Sequence, residues 1–293
     1  MHQPVMSHEV VTLLKPDCGG LFVDCTVGGG GHTRVLLEAG ASRVLGIDRD
    51  GDVLPLVPNT LAQWKDQVEL VHSDFRRLEQ VLDDRGITTI DGALADLGLS
   101  SIQLETEGRG FSFRRDEPLD MRMDRATGLT ATELLRDASE PVLADLIFRY
   151  GEERHARRIA RAIADARVRA PVTTTGQLAS IVRRAIPRRG WQRIDPATRT
   201  FQAIRIWVNH EFEGLEEFVR AVGRRLRTGA RFAVITFHSL EDRIIKHVFR
   251  ELERGSEIAL RVLTKHPQRP EREEIARNRR ARSAKLRAVE RLA

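Results

Sequence analysis

The chain has little cysteine: Cys18 and Cys25 are its only two, with no C-x-x-C and no second ligand pair, which excludes a disulfide scaffold and a structural zinc site. No apolar run approaches the roughly 18 residues of a membrane helix, and the N-terminus (MHQPVMSHEVVTLLKP) lacks the basic-then-apolar plan of a signal peptide. A soluble, cytoplasmic protein is expected. There is no G-x-x-x-x-G-K-[ST] phosphate loop, and His210-Glu211 lacks the second histidine of a zinc-protease helix. Phosphoryl transfer and zinc hydrolysis therefore have no motif to rest on.

What is present is a globular composition, 41% apolar over 293 residues, enough to fill a core of one large or two modest domains. The net charge of +6 conceals an asymmetry. Residues 1–153 carry 15 Lys/Arg against 27 Asp/Glu, whereas residues 154–205 carry 13 against 2 and residues 265–293 carry 10 against 4. Clustered cations are the footprint of a polyanion, because each neutralised phosphate releases condensed counterions. In the first basic block Arg154, Arg158 and Arg161 recur at helical spacing, on a different face from Ile159 and Ile163.

Short apolar runs alternate with helical stretches over the first hundred residues, the pattern of a parallel sheet covered on both faces. Strands are expected at 21–25, 43–48, 68–72 and 90–97, with helices at 32–39, about 51–63 and about 75–84. From about 104 to 210 the chain reads as helical or irregular. The α/β rhythm then resumes with an amphipathic stretch at 211–228, a strand at 231–237, a helix at about 240–253, a strand near 258–264 and a last strand at 284–289. The expected architecture is a seven-stranded Rossmann-like sheet from about 1–104 and 211–293, with a helical, basic domain inserted at 105–210.

The sharpest local signal is DCTVGGGGH, residues 24–32, between a strand and a helix, where glycines let the backbone approach a ligand. Asp48 closes the second strand within GIDRD, where an acid can accept both hydroxyls of a ribose. Together they point to an adenosine-containing cofactor. A dinucleotide fingerprint starting at Gly28 requires glycine at residue 33, and Thr33 stands there. Asp24 also favours S-adenosylmethionine (SAM), since a carboxylate suits its ammonium group and repels a pyrophosphate. SAM is the better fit, and a nicotinamide-dependent oxidoreductase is the alternative. Methylation at a ring carbon of cytosine needs an attacking thiolate, but Cys25 is expected beside the cofactor loop and Cys18 on a surface connection. An exocyclic amine or a hydroxyl is the expected acceptor.

DCTVGGGGH, GIDRD, DLGLSSIQLE, RGFSF, PLDMRMD, GEERHARRIARAI, PATRTFQAIRIWVN, ITFHSLEDRIIK and NRRARSAKLR, in this order from about residue 5 to 290, resemble the signature blocks of one family. It is the bacterial ribosomal RNA small-subunit methyltransferase H family, also known as the cytosine-N4 methyltransferase MraW. The resemblance implies SAM-dependent methylation of a cytidine amine in the decoding region of 16S ribosomal RNA, the partner being that RNA within the small subunit. It also implies cofactor contacts by Gly30, Gly31, His32, Asp48, Phe75, Asp96 and Gln103. Ile102 and Arg279 depart from the family, which usually has proline at both places.

The amine must be held in line and must find hydrogen-bond acceptors as it pyramidalises. Many amino methyltransferases supply these from [DNS]-P-P-[YFW], but this chain has no Pro-Pro, so DLGLSS has to supply another geometry. Asp96, at the end of the fourth strand, is the first candidate acceptor, and His238 the second, for proton removal. Arg154, Arg158, Arg161 and Arg205 are the candidate RNA ligands, and no metal is expected. An RNA-binding factor with a non-catalytic SAM pocket is the reading from another class.

Overall fold

The computed structural model describes residues 4–187, 194–255 and 258–293. The chain divides into two compact units, residues 1–101 with 212–293, and residues 102–211. Arg188, Arg189 and Arg193 of the basic block lie outside the described residues.

In the first unit, β1 (Leu21–Asp24), β2 (Arg43–Asp48), β3 (Val68–His72), β4 (Ile90–Asp96), β5 (Leu226–Thr236), β6 (Leu260–Val262) and β7 (Lys285–Arg291) form one sheet. Its order is β3-β2-β1-β4-β5-β7-β6, and β7 alone runs antiparallel to its neighbours. This is the expected fold class, a seven-stranded Rossmann-like sheet. In chain order, α1 (Ser7–Leu14), α2 (Gly31–Glu38), α3 (Val57–Thr60) and α4 (Leu78–Asp83) precede the second unit. That unit contains α5 (Ser101–Glu105, from its second residue), α6 (Ala131–Asp137), α7 (Glu140–Gly151), α8 (Ala156–Arg169), α9 (Thr175–Ala185) and α10 (Ala197–Asn209). The chain then returns with α11 (Leu215–Arg225), α12 (Ser239–Arg254) and α13 (Arg272–Arg277).

The period of two along each strand places alternate side chains on opposite faces. Val23, Leu45, Ile47, Ala93, Ala95, Phe232 and Val234 join one core, which Phe218 and Val222 of α11 and Ile245, Val248 and Phe249 of α12 cover. Phe22, Val44, Leu94, Ala233, Ile235 and Leu286 join the other, beneath Val10, Leu14, Leu36 and Val57. The helix expected over about 51–63 is broken: one α-turn, Val57–Thr60, lies between 3-10 turns at Leu54–Leu56 and Ala62–Trp64. Pro55 and Pro58 remove two backbone donors there, which explains the interruption. Strand β5 starts at Leu226, five residues earlier than its apolar run suggests, with a bulge opposite residues 90–92.

In the second unit α8 buries Ala156, Ile159, Ala160 and Ile163 and leaves Arg157, Arg158 and Arg161 exposed. Capping boxes at Thr130/Glu133 and Thr174/Gln177 start α6 and α9, each satisfying two otherwise orphaned backbone donors. Asn209, buried at the end of α10, donates to the Met121 carbonyl at 2.8 Å and accepts the Met123 N–H at 2.7 Å. It thereby ties the PLDMRMD segment to α10.

Candidate active site

The order β2-β1-β4 leaves the carboxyl ends of β1 and β4 side by side, the switch point at which open α/β sheets bind ligands. Gly28–Gly31 turn from β1 into α2 at this edge. Gly28 and Gly30 have φ of +51° and +79°, a region that a side chain disfavours, and Gly30 is the N-cap residue of α2. A Cβ at Gly30 would also come within 3.0 Å of Val57. The backbone here is bare because the turn requires it.

Asp48, at the end of β2, accepts the Gly28 N–H at 2.7 Å on one oxygen and the Asp50 N–H at 2.9 Å on the other. A carboxylate has about four lone-pair sites, so it retains acceptors for a ribose diol. Burial pushes its pKa up to about 6, against the pull of the two backbone donors. The sign follows from linkage: a raised carboxyl binds its proton more tightly when folded, so Asp48 opposes stability above pH 6 and this penalty fades as pH falls toward 4. Donor binding has the opposite dependence, because a protonated Asp48 loses an acceptor. SAM affinity is expected to be up to about tenfold weaker at pH 5 than at pH 7, with a midpoint near 6. Calorimetric titrations across this range check it, and Asp48→Asn should flatten the profile.

Asp96 ends β4, its N–H held by Thr26 Oγ1 at 2.6 Å. One carboxylate oxygen lies 3.5 Å from His32 Nε2, an ion-pair separation without hydrogen-bond geometry, and the other, Oδ1, is a buried acceptor with no partner among the described residues. Both ring nitrogens of His32 are likewise buried and unbonded. Burial alone would lower the His32 pKa, but Asp96, then Asp24 and Glu274, outweigh it and hold the ring above the ordinary histidine range. The carboxyl edge thus presents a glycine turn, the Asp48 carboxylate, and an orphaned acid and imidazole.

Phe75 opens the turn after β3, half-buried, with its ring 4.6 Å from Phe218. One side is therefore ordinary core. Gln103 is buried on α5, within the other compact unit.

Three expectations are corrected. Asp24 does not offer a carboxylate to a ligand: it is fully buried, and its oxygens accept Thr33 Oγ1 at 2.7 Å and the Thr26 N–H at 3.2 Å, fastening the glycine turn to α2. His238 is not a free base. It caps α12, with Nδ1 accepting the Glu241 N–H at 3.3 Å, while Nε2, 2.9 Å from Glu241 Oε1, is buried and makes no hydrogen bond among the described residues, so the ring serves the start of the helix. Arg205 is not a free phosphate ligand: it makes a forked pair with Glu211, both distances 2.7 Å, with 14% of its side chain exposed. Arg154, Arg158 and Arg161 are exposed and make no ion pair among the described residues. Arg154 precedes α8 rather than continuing its face, because Glu152 turns the chain with φ of +47°.

Thr26 and the hydrogen-bonding role of Thr33 escaped sequence reasoning although both residues lie in DCTVGGGGHT. Their hydroxyls matter only once the turn folds back on Asp24 and Asp96. Cys25 is buried, and burial with Asp24 beside it pushes the thiol well above its usual range, which removes it as a nucleophile.

A seven-stranded sheet with one antiparallel strand, a bare glycine turn after β1 and an acid at the end of β2 define a Rossmann-like, SAM-dependent methyltransferase. The model of the MraW methylase family matches residues 1–292, and the chain belongs to that family. It is 50% identical to the ribosomal RNA small subunit methyltransferase H of a Cyanothece species, covering 100% of this chain and 95% of the relative. Proteins of the same name from Thermotoga neapolitana and Geotalea uraniireducens are 47% and 45% identical, each over 99% of this chain and over 95% and 98% of their own length. No described helix is long and apolar enough to cross a membrane.

Proposed function

We propose that the protein methylates the exocyclic N4 amine of a cytidine in the decoding region of 16S ribosomal RNA within the small subunit. The observation that carries the chemistry is Asp96 Oδ1, a buried acceptor without a partner among the described residues at the switch point, in a site whose neighbouring thiol is buried and pushed well above its usual range. The relatives' names supply the class of RNA.

Gly30 and Gly31 would give the donor close access to the backbone, Asp48 would take its ribose, and His32 and Phe75 would complete its contacts within the sheet unit. SAM, when bound, supplies an electrophilic methyl group on a sulfonium. The amine lone pair of cytosine is delocalised into the ring, so attack requires the nitrogen to pyramidalise. Asp96 accepts a hydrogen bond from the amine, which localises the lone pair, and takes a proton as the nitrogen becomes cationic. His32, 3.5 Å behind it, balances the carboxylate charge and fixes its direction. On the inserted unit, Arg154, Arg158 and Arg161 hold phosphates.

Incubation with labelled SAM and small subunits lacking the modification, followed by nucleoside analysis, tests the reading. N4-methylcytidine is the expected product. Recovery of 5-methylcytidine or a ribose-methylated nucleoside would overturn the proposed chemistry.

A further inference from the structure

Many of the described arginines are committed to a carboxylate. Arg76 pairs with Asp74, Arg122 with Asp120, Arg224 with Glu79 and Glu217, and Arg231 with Glu290. In the C-terminal basic run, Lys285 and Arg287 are held by Asp242 at 3.2 Å and 2.6 Å. Arg277, Arg279 and Arg282 differ from these: all three are exposed, and none has an ion pair or side-chain hydrogen bond among the described residues. Between them Asn278 keeps a buried Nδ2 donor without a partner. Each of these groups is a donor that a phosphate oxygen can accept.

Topology decides where they sit. Strand β7 runs antiparallel to β5, so its first residues lie at the edge where β4 and β5 end. Asp96 pairs with Ile235, and Ile235 with Leu286, so Asp96 and Leu286 are two strands apart, about 10 Å at the usual strand spacing. Residues 277–282 enter the sheet just before that point. They are also anchored: Ala281 and Ala284 are fully buried in the core shared with Val5 and Met6, and Glu274 accepts the Met6 N–H at 2.8 Å. Pro4, two residues earlier, packs against Gly31 of the cofactor turn. A cation on a fixed turn loses less conformational entropy on binding than one on a free tail.

From this juxtaposition of unpaired arginines and the donor edge we infer that Arg277, Arg279 and Arg282, with Asn278, bind the phosphates flanking the target nucleotide. The sheet unit then holds the RNA itself, independently of Arg154, Arg158 and Arg161. The inference rests on the RNA reading above. A phosphate contact beside the reacting edge positions the nucleotide as well as adding affinity.

The test is the triple variant R277Q/R279Q/R282Q, titrated with a cytidine-containing single-stranded RNA oligonucleotide at several salt concentrations and assayed in single turnover at saturating RNA and SAM. The slope of log affinity against log salt should flatten by about two units, since each phosphate contact contributes about 0.7 on a single strand. The saturating rate should also fall, SAM affinity should be unchanged, and the R277K/R279K/R282K variant should restore the slope. An unchanged slope overturns the inference, and so does loss of SAM binding in the glutamine variant, which would make these arginines structural. R154Q/R158Q/R161Q separates the two proposals: a flattened slope there alone leaves the RNA reading standing and removes this one. Absence of salt-dependent RNA binding in the unmodified protein removes both.

Discussion

Asp96→Asn is expected to slow methyl transfer by about 100- to 1000-fold at saturating SAM and RNA, the usual effect of removing one group aligned with charge that develops in a transition state. The amide keeps the size of the side chain, and the Asp96 N–H bond to Thr26 Oγ1 is untouched, so the strand end should stay in place. What changes is the acceptor Oδ1, which loses its charge and its capacity to take a proton. Single-turnover rates isolate this step. The same substitution removes the main group that raises the His32 pKa, so the ring should titrate at lower pH, as followed by NMR of the imidazole. A preserved rate with weakened SAM binding would make Asp96 a binding residue and place the amine acceptor elsewhere.

Asp48→Ala should weaken SAM binding by about 1.5–3 kcal/mol, roughly ten- to 150-fold, the worth of hydrogen bonds to a charged acceptor. Two effects act in the same direction. The ribose loses its acceptor, and the Gly28 N–H loses the carboxylate that holds the turn in its left-handed conformation. Asp48→Asn keeps one oxygen for Gly28 and should lose less. RNA affinity should be nearly unaltered, because Asp48 lies on β2, four strands from β7 in the sheet, and an acid makes no phosphate contact. Titration calorimetry separates the two ligands, and unaltered SAM affinity in the alanine variant would remove Asp48 from the ribose site.

Elements whose signal is local were legible in the chain. The strands of the sheet follow from alternation and apolar runs, and six of them begin within two residues of the expected positions. The glycine turn and the acids ending β2 and β4 were also legible, because a ligand edge forms wherever parallel strands end. The helix over 51–63 failed because two prolines outweigh an apolar pattern. His238 failed for a related reason: H-x-x-E before a helix is a capping pattern as much as a catalytic one, and the extended backbone at His238 selects the cap.

By itself, then, the sequence determined the sheet class, the position of the glycine turn and family membership, since periodicity and motif order survive without coordinates. Only the tertiary structure decided which charged groups remain available, because availability depends on partners that folding brings together. Asp24 is closed off by Thr33, Arg205 by Glu211 and Arg287 by Asp242, whereas Asp96 Oδ1 keeps an open lone pair. The direction of β7 is equally a tertiary fact. A single antiparallel strand starts at the edge where β4 stops, and so brings residues 277–282, which lead into it, to that edge rather than to the opposite edge of the sheet.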